Sequence, residues 1–259
     1  MAIRFLATNL WDTATVTANS AATGFPASNT KTRLFLEHWR STGLTAEWVK
    51  ADLGANVVIR AVVIKYNNLR VGDSISVQAA TTAVGDVWTS PTINVAITIT
   101  TAMVSKGQIV YNWESAPTAC RWWRVIMTSA GNSDAYIRIG RMYLGTYVEP
   151  DRDYDKDWGI KNVTPSVIVP SATGQEFVNV LPKYKQITLN FGSMSAADEA
   201  KMEALRDALG SDTAFFVELD PANMLTAWTY YVTAPSDWNI QHIFGAQLYS
   251  MPLTMKEER

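Results

Sequence analysis

The chain has 259 residues, a 47% hydrophobic content and a formal net charge of −2 at pH 7. This length accommodates one large or two ordinary domains, and the composition excludes a disordered or fibrous chain. Because no global positive charge would attract a polyanion, no binding to nucleic acid is expected.

The sequence carries no signals for export or internal cross-linking. It lacks a run of about 18 apolar residues, so no membrane insertion is expected. The first residues lack the apolar stretch of a signal peptide, which predicts assembly in a cytoplasm. The single cysteine, Cys120, excludes an internal disulfide and a Cys-x-x-Cys metal site. We expect Cys120 to be a small buried residue on a strand.

The first half of the chain has the pattern of short strands. Segments rich in Val, Ile and Thr alternate with turns rich in Gly, Asn and Ser, with almost no helical periodicity. One segment alternates in polarity from Glu47 and ends in an Asp-Leu-Gly turn at Gly54. Further strands are predicted at residues 57–64, 74–79 and 93–99. Many short strands between turn signals favour an antiparallel jelly-roll sandwich.

Two later segments complete this sandwich. Residues 122–128 form a long apolar strand that is predicted to be central. The following segment alternates, so we expect Ile137 and Ile139 to face the core and Arg138 and Arg141 to face solvent.

Residues 148–159 form a charged segment without periodicity that ends at Gly159, and we interpret it as a linker. Calcium loops place oxygen ligands at positions 1, 3 and 5, a glycine at position 6 and a glutamate at position 12. Here Lys156 and Asn162 occupy the last two positions, so a solvated linker is preferred and no metal is expected. The three aspartates at alternate positions are Asp151, Asp153 and Asp155.

Residues 160–259 are predicted to form a small α+β domain. Its clear helix begins after Ser195 as N-cap, with Asp198 three residues on, as in a capping box, and it stops at Gly210. One face of the helix is apolar. That face consists of Met202, Leu205 and Leu209. Strands are predicted at residues 161–169, 185–191, 214–219 and 244–255, so the helix is expected to lie on a mostly antiparallel sheet.

The sequence offers no recognisable catalytic arrangement. The two histidines, His38 and His242, lie in predicted loops outside any nucleophile–base motif. No glycine-rich phosphate loop and no zinc-binding helix occurs. A glycosidase needs two carboxylates, but such a pair cannot be chosen among 24 acidic residues. We therefore expect no enzyme, no catalytic residue and no cofactor.

Four segments of the first half together resemble the discoidin, or galactose-binding-like, jelly roll. They are the loop at 26–29, the Trp39 loop, the strand and turn at 48–54 and the final strand at 138–145. The resemblance implies a binding or surface-building domain. Secreted discoidin domains usually have a disulfide that joins their ends, and this chain departs from them in having none.

The second half is similar to tail proteins of long-tailed bacteriophages. The similarity consists, in order, of a strand ending at Phe191-Gly192, the helix start at 195–199, a strand closed by a Leu-Asp-Pro turn at 219–221 and the chain end at 249–258. It implies a non-enzymatic distal tail or baseplate protein of the virion tail tip, assembled in the host cytoplasm. Such a protein forms a homo-oligomeric ring and contacts other phage tail proteins.

The discoidin resemblance also implies a ligand site on loops at one end of the sandwich, where aromatic rings stack on sugars and polar groups read hydroxyls. The aromatic candidates are Trp11, Trp39, Tyr66 and Trp88. The polar candidates are Asn67, Asn68 and Arg70. For each residue, ordinary packing or loop solvation is the competing interpretation.

The chain is therefore predicted to be mainly β, with an N-terminal antiparallel jelly-roll sandwich at 1–147, a linker at 148–159 and an α+β domain at 160–259 that has an antiparallel sheet and one helix. The leading functional prediction is the tail-tip protein. The alternative is a carbohydrate-binding module that recognises a host-surface glycan, and a third reading is a glycan-degrading tailspike-like enzyme.

Overall fold

The computed structural model describes residues 3–82, 85, 88–170, 176–210, 212–234, 238–243 and 248–258. In chain order the strands are β1 (Arg4–Leu6), β2 (Thr15–Ala18), β3 (Trp39–Arg40), β4 (Glu47–Val57), β5 (Ala61–Asn67), β6 (Ser74–Ala80), β7 (Ile93–Thr98), β8 (Gln108–Asn112), β9 (Cys120–Thr128), β10 (Arg138–Gly145), β11 (Gly159–Val163), β12 (Ser166–Pro170), β13 (Glu176–Val180), β14 (Tyr184–Met194), β15 (Phe215–Glu218), β16 (Thr229–Thr233), β17 (Gln241–Ile243) and β18 (Leu248–Glu257). The helices are α1 (Leu10–Thr13), α2 (Thr101–Lys106), α3 (Ala196–Leu209) and α4 (Pro221–Met224). The predicted mainly β fold class is confirmed.

Contacts divide the chain into two compact units. The sheet unit comprises Met1–Ala7, Val148–Leu219 and Tyr230–Arg259, and the sandwich unit comprises Thr8–Tyr147 and Asp220–Thr229. The expected domain boundaries remain a prediction, but this division differs from them at the N-terminus, at 148–159 and at 220–229. The difference arises because folding brings together segments that are far apart in the sequence.

The sandwich unit consists of two antiparallel sheets. The five-stranded sheet has the order β2-β4-β9-β6-β7, and the four-stranded sheet has the order β3-β10-β5-β8. Strand β9 is central, as predicted, and pairs with β4 and β6. Its first residue, Cys120, is buried as predicted.

The core of the sandwich unit follows from the alternation of its strands. Val49 of β4 and Val125 of β9 point inward from one sheet, and Val62 of β5 and Leu144 of β10 belong to the same buried cluster. Each fully buried large apolar side chain contributes roughly 1.5–3 kcal/mol. The alternation of apolar and polar residues that predicted these strands therefore also shows which face of each strand is buried in the core.

Strand β4 is longer than the sequence pattern indicated. The pairing of β4 with β9 is interrupted between Asp52 and Val57, where the register shifts. Gly54 has a φ of 79°, and its N–H donates to Asp52 Oδ1 at 2.8 Å. The predicted Asp-Leu-Gly turn is thus an irregularity within the strand, and the left-handed backbone favours glycine there.

Arg141 does not face solvent, so that expectation was wrong. It lies on β10 at 6% exposure. Its guanidinium pairs with both carboxylate oxygens of Asp12 at 2.5 and 2.6 Å. The bidentate pair satisfies the buried charge, which the sequence could not show because the partner lies 129 residues away.

The sheet unit is built on one antiparallel sheet with the strand order β1-β15-β16-β18-β14-β11, and β17 pairs with β18. Helix α3 packs on β14 and β18. The predicted helix is confirmed: Ser195 accepts the Asp198 N–H, and Gly210 is its C-cap. The first strand of the chain, β1, pairs with β15 of this unit and is fully buried.

The remaining strand predictions for the second half are partly confirmed. The strands predicted at 185–191 and 214–219 correspond to β14 and β15. The strand predicted at 161–169 is two strands, β11 and β12, separated by two residues that include a proline. Residues 244–247 of the last predicted strand lie outside the described residues, and β18 accounts for its remainder.

The segment at 148–159, expected to be a solvated linker, packs within the sheet unit. Val148 exchanges two backbone hydrogen bonds with Phe5, each of 2.9 Å. The Asp151 N–H donates to Asp198 Oδ1 at 2.7 Å, and the Tyr154 hydroxyl donates to the Leu219 carbonyl at 2.9 Å. These bonds hold both ends of the segment on the sheet.

The alternating aspartates of this segment make protein contacts. Asp151 pairs with Lys201 at 2.7 Å, and Asp155 accepts from the Asn190 side chain at 3.0 Å. Across the described parts of the chain, no group of three His, Cys, Asp or Glu residues has the arrangement of a metal site. The same parts contain no helix that is long and apolar enough to cross a membrane.

Candidate functional site

One end of the four-stranded sheet gathers partly exposed aromatic and cationic side chains. Strand β3 pairs with β10 so that Trp39 faces Ile139 and Arg40 faces Arg138. On its other side, β10 places Ile139 opposite Asn67 at the end of β5. We call the group at this end the aromatic–arginine cluster. It consists of Phe25, Phe35, His38, Arg40, Tyr66, Tyr136 and Arg138.

Tyr66 lies at the centre of the cluster. Its ring stacks on Phe35 with centroids 6.1 Å apart and meets His38 edge-on at 5.9 Å. Its backbone has a φ of 59°, which is uncommon for an aromatic residue, and its N–H donates to the Gly107 carbonyl at 2.7 Å. Such backbone conformations are concentrated at ligand sites, where the surrounding structure holds them in place.

Gly140 of β10 makes room for the Tyr66 ring. A Cβ at position 140 would lie 2.9 Å from Tyr66 Cβ and 3.0 Å from its Cδ1. A side chain there would displace the ring. The orientation of Tyr66 therefore depends on both its own backbone and a neighbouring glycine.

His38 presents a hydrogen-bond acceptor in its neutral form. Its Nδ1 lies 2.9 Å from the Leu36 carbonyl, which only accepts, so Nδ1 carries the hydrogen and Nε2 is left as an acceptor. Burial lowers the pKa of His38, and the positive charges of Arg138 and Arg40 lower it further, against the opposing effect of the Leu36 carbonyl. The imidazole is therefore neutral near pH 7.

The two arginines of the cluster lie over aromatic rings. The Arg40 guanidinium carbon is 3.5 Å from the Tyr136 ring centroid and 5.5 Å from that of Phe25. The Arg138 guanidinium carbon is 4.6 Å from the Tyr66 ring centroid. The Arg138 Nε is shielded from solvent and has no hydrogen-bond partner in the protein.

An apolar rim lies beside these polar groups. Leu34 and Leu36 are 59% and 84% exposed, and they flank Phe35 in the loop that leads to His38. Contiguous exposed apolar surface often marks a binding site. The cluster thus combines apolar surface, hydrogen-bond donors and one acceptor.

The polar residues proposed from the sequence have structural roles in the free protein. Asn68 donates to the Tyr136 carbonyl and to Asp134 Oδ2, each at 2.9 Å, and its side-chain oxygen accepts the Arg138 N–H at 2.9 Å. Asn67 is buried, and its side-chain oxygen accepts the Leu69 N–H at 3.2 Å. Asn68 therefore positions the loop that carries Tyr136 and Arg138.

Arg70 belongs to a neighbouring groove. Its guanidinium bonds the Gly131 carbonyl and pairs with Asp73 at 3.2 Å. Together with Val71, Thr128 and neighbouring residues, Arg70 lines an open pocket of about 380 Å³. Since Arg70 already has a carboxylate partner, we assign it no ligand contact.

The three tryptophans proposed from the sequence are not available as stacking surfaces. Trp11 and Trp39 are fully buried, and their indole N–H groups donate to Thr30 Oγ1 at 2.8 Å and to the Ser20 carbonyl at 2.9 Å. Trp88 is 7% exposed and is covered by Arg124, whose guanidinium carbon lies 4.7 Å from its ring centroid. Ring faces that are buried in this way are not open to a sugar, so we leave these tryptophans out of the candidate site.

Of the residues proposed from the sequence, Tyr66 remains in the candidate site. The other cluster residues were missed because they come from segments that become neighbours only through β3–β10 pairing. A signal was present: His38 and Arg40 alternate around the buried Trp39, and Tyr136 and Arg138 alternate around Ile137. Alternation places each pair on one side of its segment.

Comparisons with known proteins found structural neighbours only. A scan against protein-family models found no match, and a search of curated proteins found none. Chitosan-binding module 1 from a chitosanase/glucanase of Paenibacillus sp. IK-5 is 22% identical with a TM-score of 0.42, covering 53% of this chain and 98% of that chain. A Streptococcus pneumoniae fucose binding module is 9% identical with a TM-score of 0.42, covering 54% and 95%.

A third structure is the family 32 module of C. perfringens NanJ, solved in complex with galactose. It is 11% identical with a TM-score of 0.41, covering 56% of this chain and 99% of that chain. These neighbours are carbohydrate-binding modules, and they give no support to the expected phage tail protein. Similarity at this level carries no functional conclusion for this chain, so we derive the function from the geometry of the cluster.

Proposed function

We propose that the sandwich unit binds a carbohydrate at the aromatic–arginine cluster, without a chemical step. The observation that carries this proposal is the fixed, partly exposed ring of Tyr66, flanked by the neutral imidazole of His38 and the guanidinium of Arg138. A sugar ring offers apolar C–H groups to an aromatic face and hydroxyls that both donate and accept. The cluster contains a matching group for each of these.

The division of roles follows from the chemistry of each side chain. Tyr66 and Phe35 provide the apolar surface, His38 Nε2 accepts a bond from a hydroxyl, and the arginines donate to oxygen atoms. Binding sites of this kind have a mainly apolar surface with a few convergent polar groups. Asn68 and Gly140 act by holding the loop and the central ring in position.

The substitution Tyr66→Asn tests this proposal. Asparagine tolerates the left-handed backbone, so the ring is removed while the local fold is kept. Screening the unaltered protein on a glycan array identifies a ligand, and calorimetric titration then compares the two proteins. We expect Tyr66→Asn to weaken binding about fivefold or more, since a stacked ring contributes ~1 kcal/mol.

Tyr249→Asn is the matched control for that substitution. Tyr249 is also partly exposed and also packs against a histidine, His242, with ring centroids 5.2 Å apart. It lies in the sheet unit, so glycan binding should be unchanged. Equal loss in both variants, or no saccharide bound by the unaltered protein, would contradict the proposed site.

A second candidate function, assembly of the chain into a homo-oligomeric ring, is favoured by a separate observation. Strands β12 and β13 form a two-stranded sheet of their own. Val178 and Val180 of β13 are 56% and 61% exposed, and Leu181 after it is 40% exposed. An isolated hairpin is marginally stable in water, and its unpaired edges are able to pair with another chain. We propose a second copy of this chain as the partner.

In this second reading the protein is a structural component of a virion tail tip that also contacts other tail proteins. Light scattering coupled to size-exclusion chromatography measures the oligomeric state. Val180→Lys should shift oligomers to monomers, because lysine on an edge opposes pairing. Val71→Lys, at a valine that is 59% exposed in the sandwich unit, should leave them unchanged. A monomeric unaltered chain at high concentration would exclude ring formation by the isolated protein.

A further inference from the structure

Two positive charges face each other within the cluster. In the antiparallel pair of β3 and β10, Arg40 and Arg138 are direct cross-strand partners. Like charges at directly opposed positions destabilise a sheet. Both arginines lie on partly exposed positions beside the ring of Tyr66 or Tyr136. The aromatic rings beneath the two arginines offset part of this cost. Arrangements that break a local rule of stability are expected chiefly at functional sites.

The compensation that other arginines receive is missing here. Among the residues that the structure describes, no carboxylate lies within 4.0 Å of the guanidinium of Arg40 or of Arg138. Asp134, which is four residues from Arg138 in the sequence, is exposed and accepts a hydrogen bond from the Asn68 side chain. Five arginines elsewhere do have carboxylate partners within that distance. They are Arg4, Arg70, Arg121, Arg141 and Arg206.

The remaining groups of the cluster do not neutralise the pair. His38 contributes an acceptor and no negative charge, and the aromatic residues contribute only the negative faces of their rings. A guanidinium is planar and can bind a carboxylate through two parallel hydrogen bonds. The cluster therefore has two cationic groups and apolar rings.

We infer that the ligand of this cluster is an acidic saccharide, whose carboxylate binds between Arg40 and Arg138 while its ring packs on Tyr66. This inference rests on the proposed carbohydrate-binding function and gives it a substrate class. Uronic acids and sialic acids have this chemistry. The negative charge of the ligand offsets the repulsion between the two arginines, which a neutral sugar cannot do.

The test compares ligands that differ only in charge, using the unaltered full chain. The probes are D-galacturonic acid, D-glucuronic acid and N-acetylneuraminic acid, each as the free acid and as its methyl ester, with D-galactose and D-glucose as neutral sugars. Calorimetric or NMR titration gives the affinities. We expect at least one acid to bind and its methyl ester to bind at least about tenfold more weakly, because hydrogen bonds between charged groups are stronger than neutral ones.

Variants identify the arginine that is responsible for the preference for the acid over its methyl ester. Arg138→Gln should remove most of the preference for the acid over its ester, and Arg138→Lys should restore only part of it, because lysine lacks the planar fork. Arg121→Gln is the matched control, since Arg121 is paired with Asp52 on the other sheet of the same unit. Circular dichroism checks the fold of each variant, and the ester comparison needs no variant.

The outcomes separate the inference from the proposed function. If neutral sugars or esters bind the cluster as tightly as the acids, and Tyr66→Asn weakens them, the acidic ligand is excluded and carbohydrate binding stands. If neither acids nor neutral sugars bind, both are overturned. If acids bind but the Arg138 and Tyr66 variants bind them unchanged, the site is elsewhere and both are likewise overturned.

Discussion

At the scale of single residues, the candidate site depends on a contact between Tyr66 and Gly140. The left-handed backbone of Tyr66 directs its ring across β10, and Gly140 is the residue it crosses. Neither residue would be recognised as functional from its type alone. Together they fix the position of the Tyr66 ring, and uncommon backbone conformations of this kind occur often at functional sites.

The substitution Gly140→Ala should therefore reduce ligand binding without unfolding the protein. The added methyl group would lie 2.9 Å from Tyr66 Cβ, so the ring has to move. We expect affinity for the ligand to fall about tenfold and stability to fall by about 1–3 kcal/mol, which is the usual cost of overpacking. Titration and urea denaturation measure the two effects.

Gly159→Ala is the control for Gly140→Ala. A Cβ at position 159 meets no atom within 4 Å, so neither affinity nor stability should change substantially. Unchanged affinity in Gly140→Ala would show that the position of the Tyr66 ring does not matter for binding.

A second prediction at this scale concerns the pKa of His38. Burial lowers this pKa below the usual 6.5, and Arg138 and Arg40 contribute in the same direction. As pH falls below 6.5 the unfolded chain takes up a proton before the folded chain does, so the sandwich unit loses stability between that pH and the folded-state pKa. Above pH 6.5 both states are neutral and the effect vanishes. His38→Gln should remove this part of the pH dependence.

NMR titration of the imidazole signals measures the His38 pKa directly. With two histidines in the chain, His242 supplies the reference signal. Arg138→Gln should raise the His38 pKa toward 6.5, since it removes one positive charge. An unchanged His38 pKa in that variant would mean that the guanidinium is farther from the imidazole in solution than in the structure.

At the scale of elements, helix α3 shows how capping and burial are coupled. Ser195 accepts the Asp198 N–H at 3.1 Å, and its hydroxyl donates to Asp198 Oδ2 at 3.0 Å. Burial acts to raise the pKa of Asp198. Hydrogen bonds from the Asp151 backbone and from the side chain and backbone of Ser195 act in the opposite direction, as does the positive charge of Lys201, and together they lower the pKa. The start of the helix is therefore joined to the segment that begins at Val148.

Ser195→Ala should destabilise the sheet unit by about 1 kcal/mol, since the loss of an N-cap side chain usually costs about 0.5–2 kcal/mol. Urea denaturation followed by circular dichroism measures this. Ser193→Ala is the control, because Ser193 is exposed and its side chain caps no helix.

The stabilisation from Asp198 is present above its unfolded pKa of 3.8 and should be lost as pH falls through the lower folded value.

Local patterns predicted the elements whose signal lies within one segment. Strands β6, β7 and β9 have one apolar face each, and α3 has both its apolar periodicity and its caps. These features depend on neighbours within a few residues. The sequence was therefore sufficient for the mainly β fold class and for the single long helix.

The candidate site could not be predicted in the same way, because its geometry depends on register between distant segments. Arg40 and Arg138 are 98 positions apart and become neighbours through the pairing of β3 with β10. The burial of Trp11 and Trp39 also depends on other segments that cover them. Tyr66 was found through the resemblance to discoidin domains, whereas its partners had only the alternation of short segments, which does not show that those segments become neighbours.

At the scale of the whole molecule, the start of the chain belongs to the sheet unit. Ile3, Phe5 and Leu6 are fully buried, and β1 pairs with β15 over residues Arg4 to Leu6. Phe5 also pairs with Val148, where the chain re-enters this unit. Residues 1–7 and 148–259 should therefore fold together more stably than residues 148–259 alone.

Replacing residues 8–147 by a short Gly-Ser turn tests this prediction. Because Phe5 and Val148 are hydrogen-bonded partners, a turn of a few residues can connect Ala7 to Val148. We expect the joined chain to unfold cooperatively, and the fragment 148–259 to be less stable by several kcal/mol, since three large apolar side chains contribute roughly 1.5–3 kcal/mol each. Thermal and urea denaturation compare the two chains, and equal stability would contradict the role of β1.

The two hydrogen bonds between Phe5 and Val148 also define a natural point of exchange. Exchange of residues 8–147 between genes at this point would replace most of the sandwich unit in one step, and it would keep β1 beside β15 in the sheet unit.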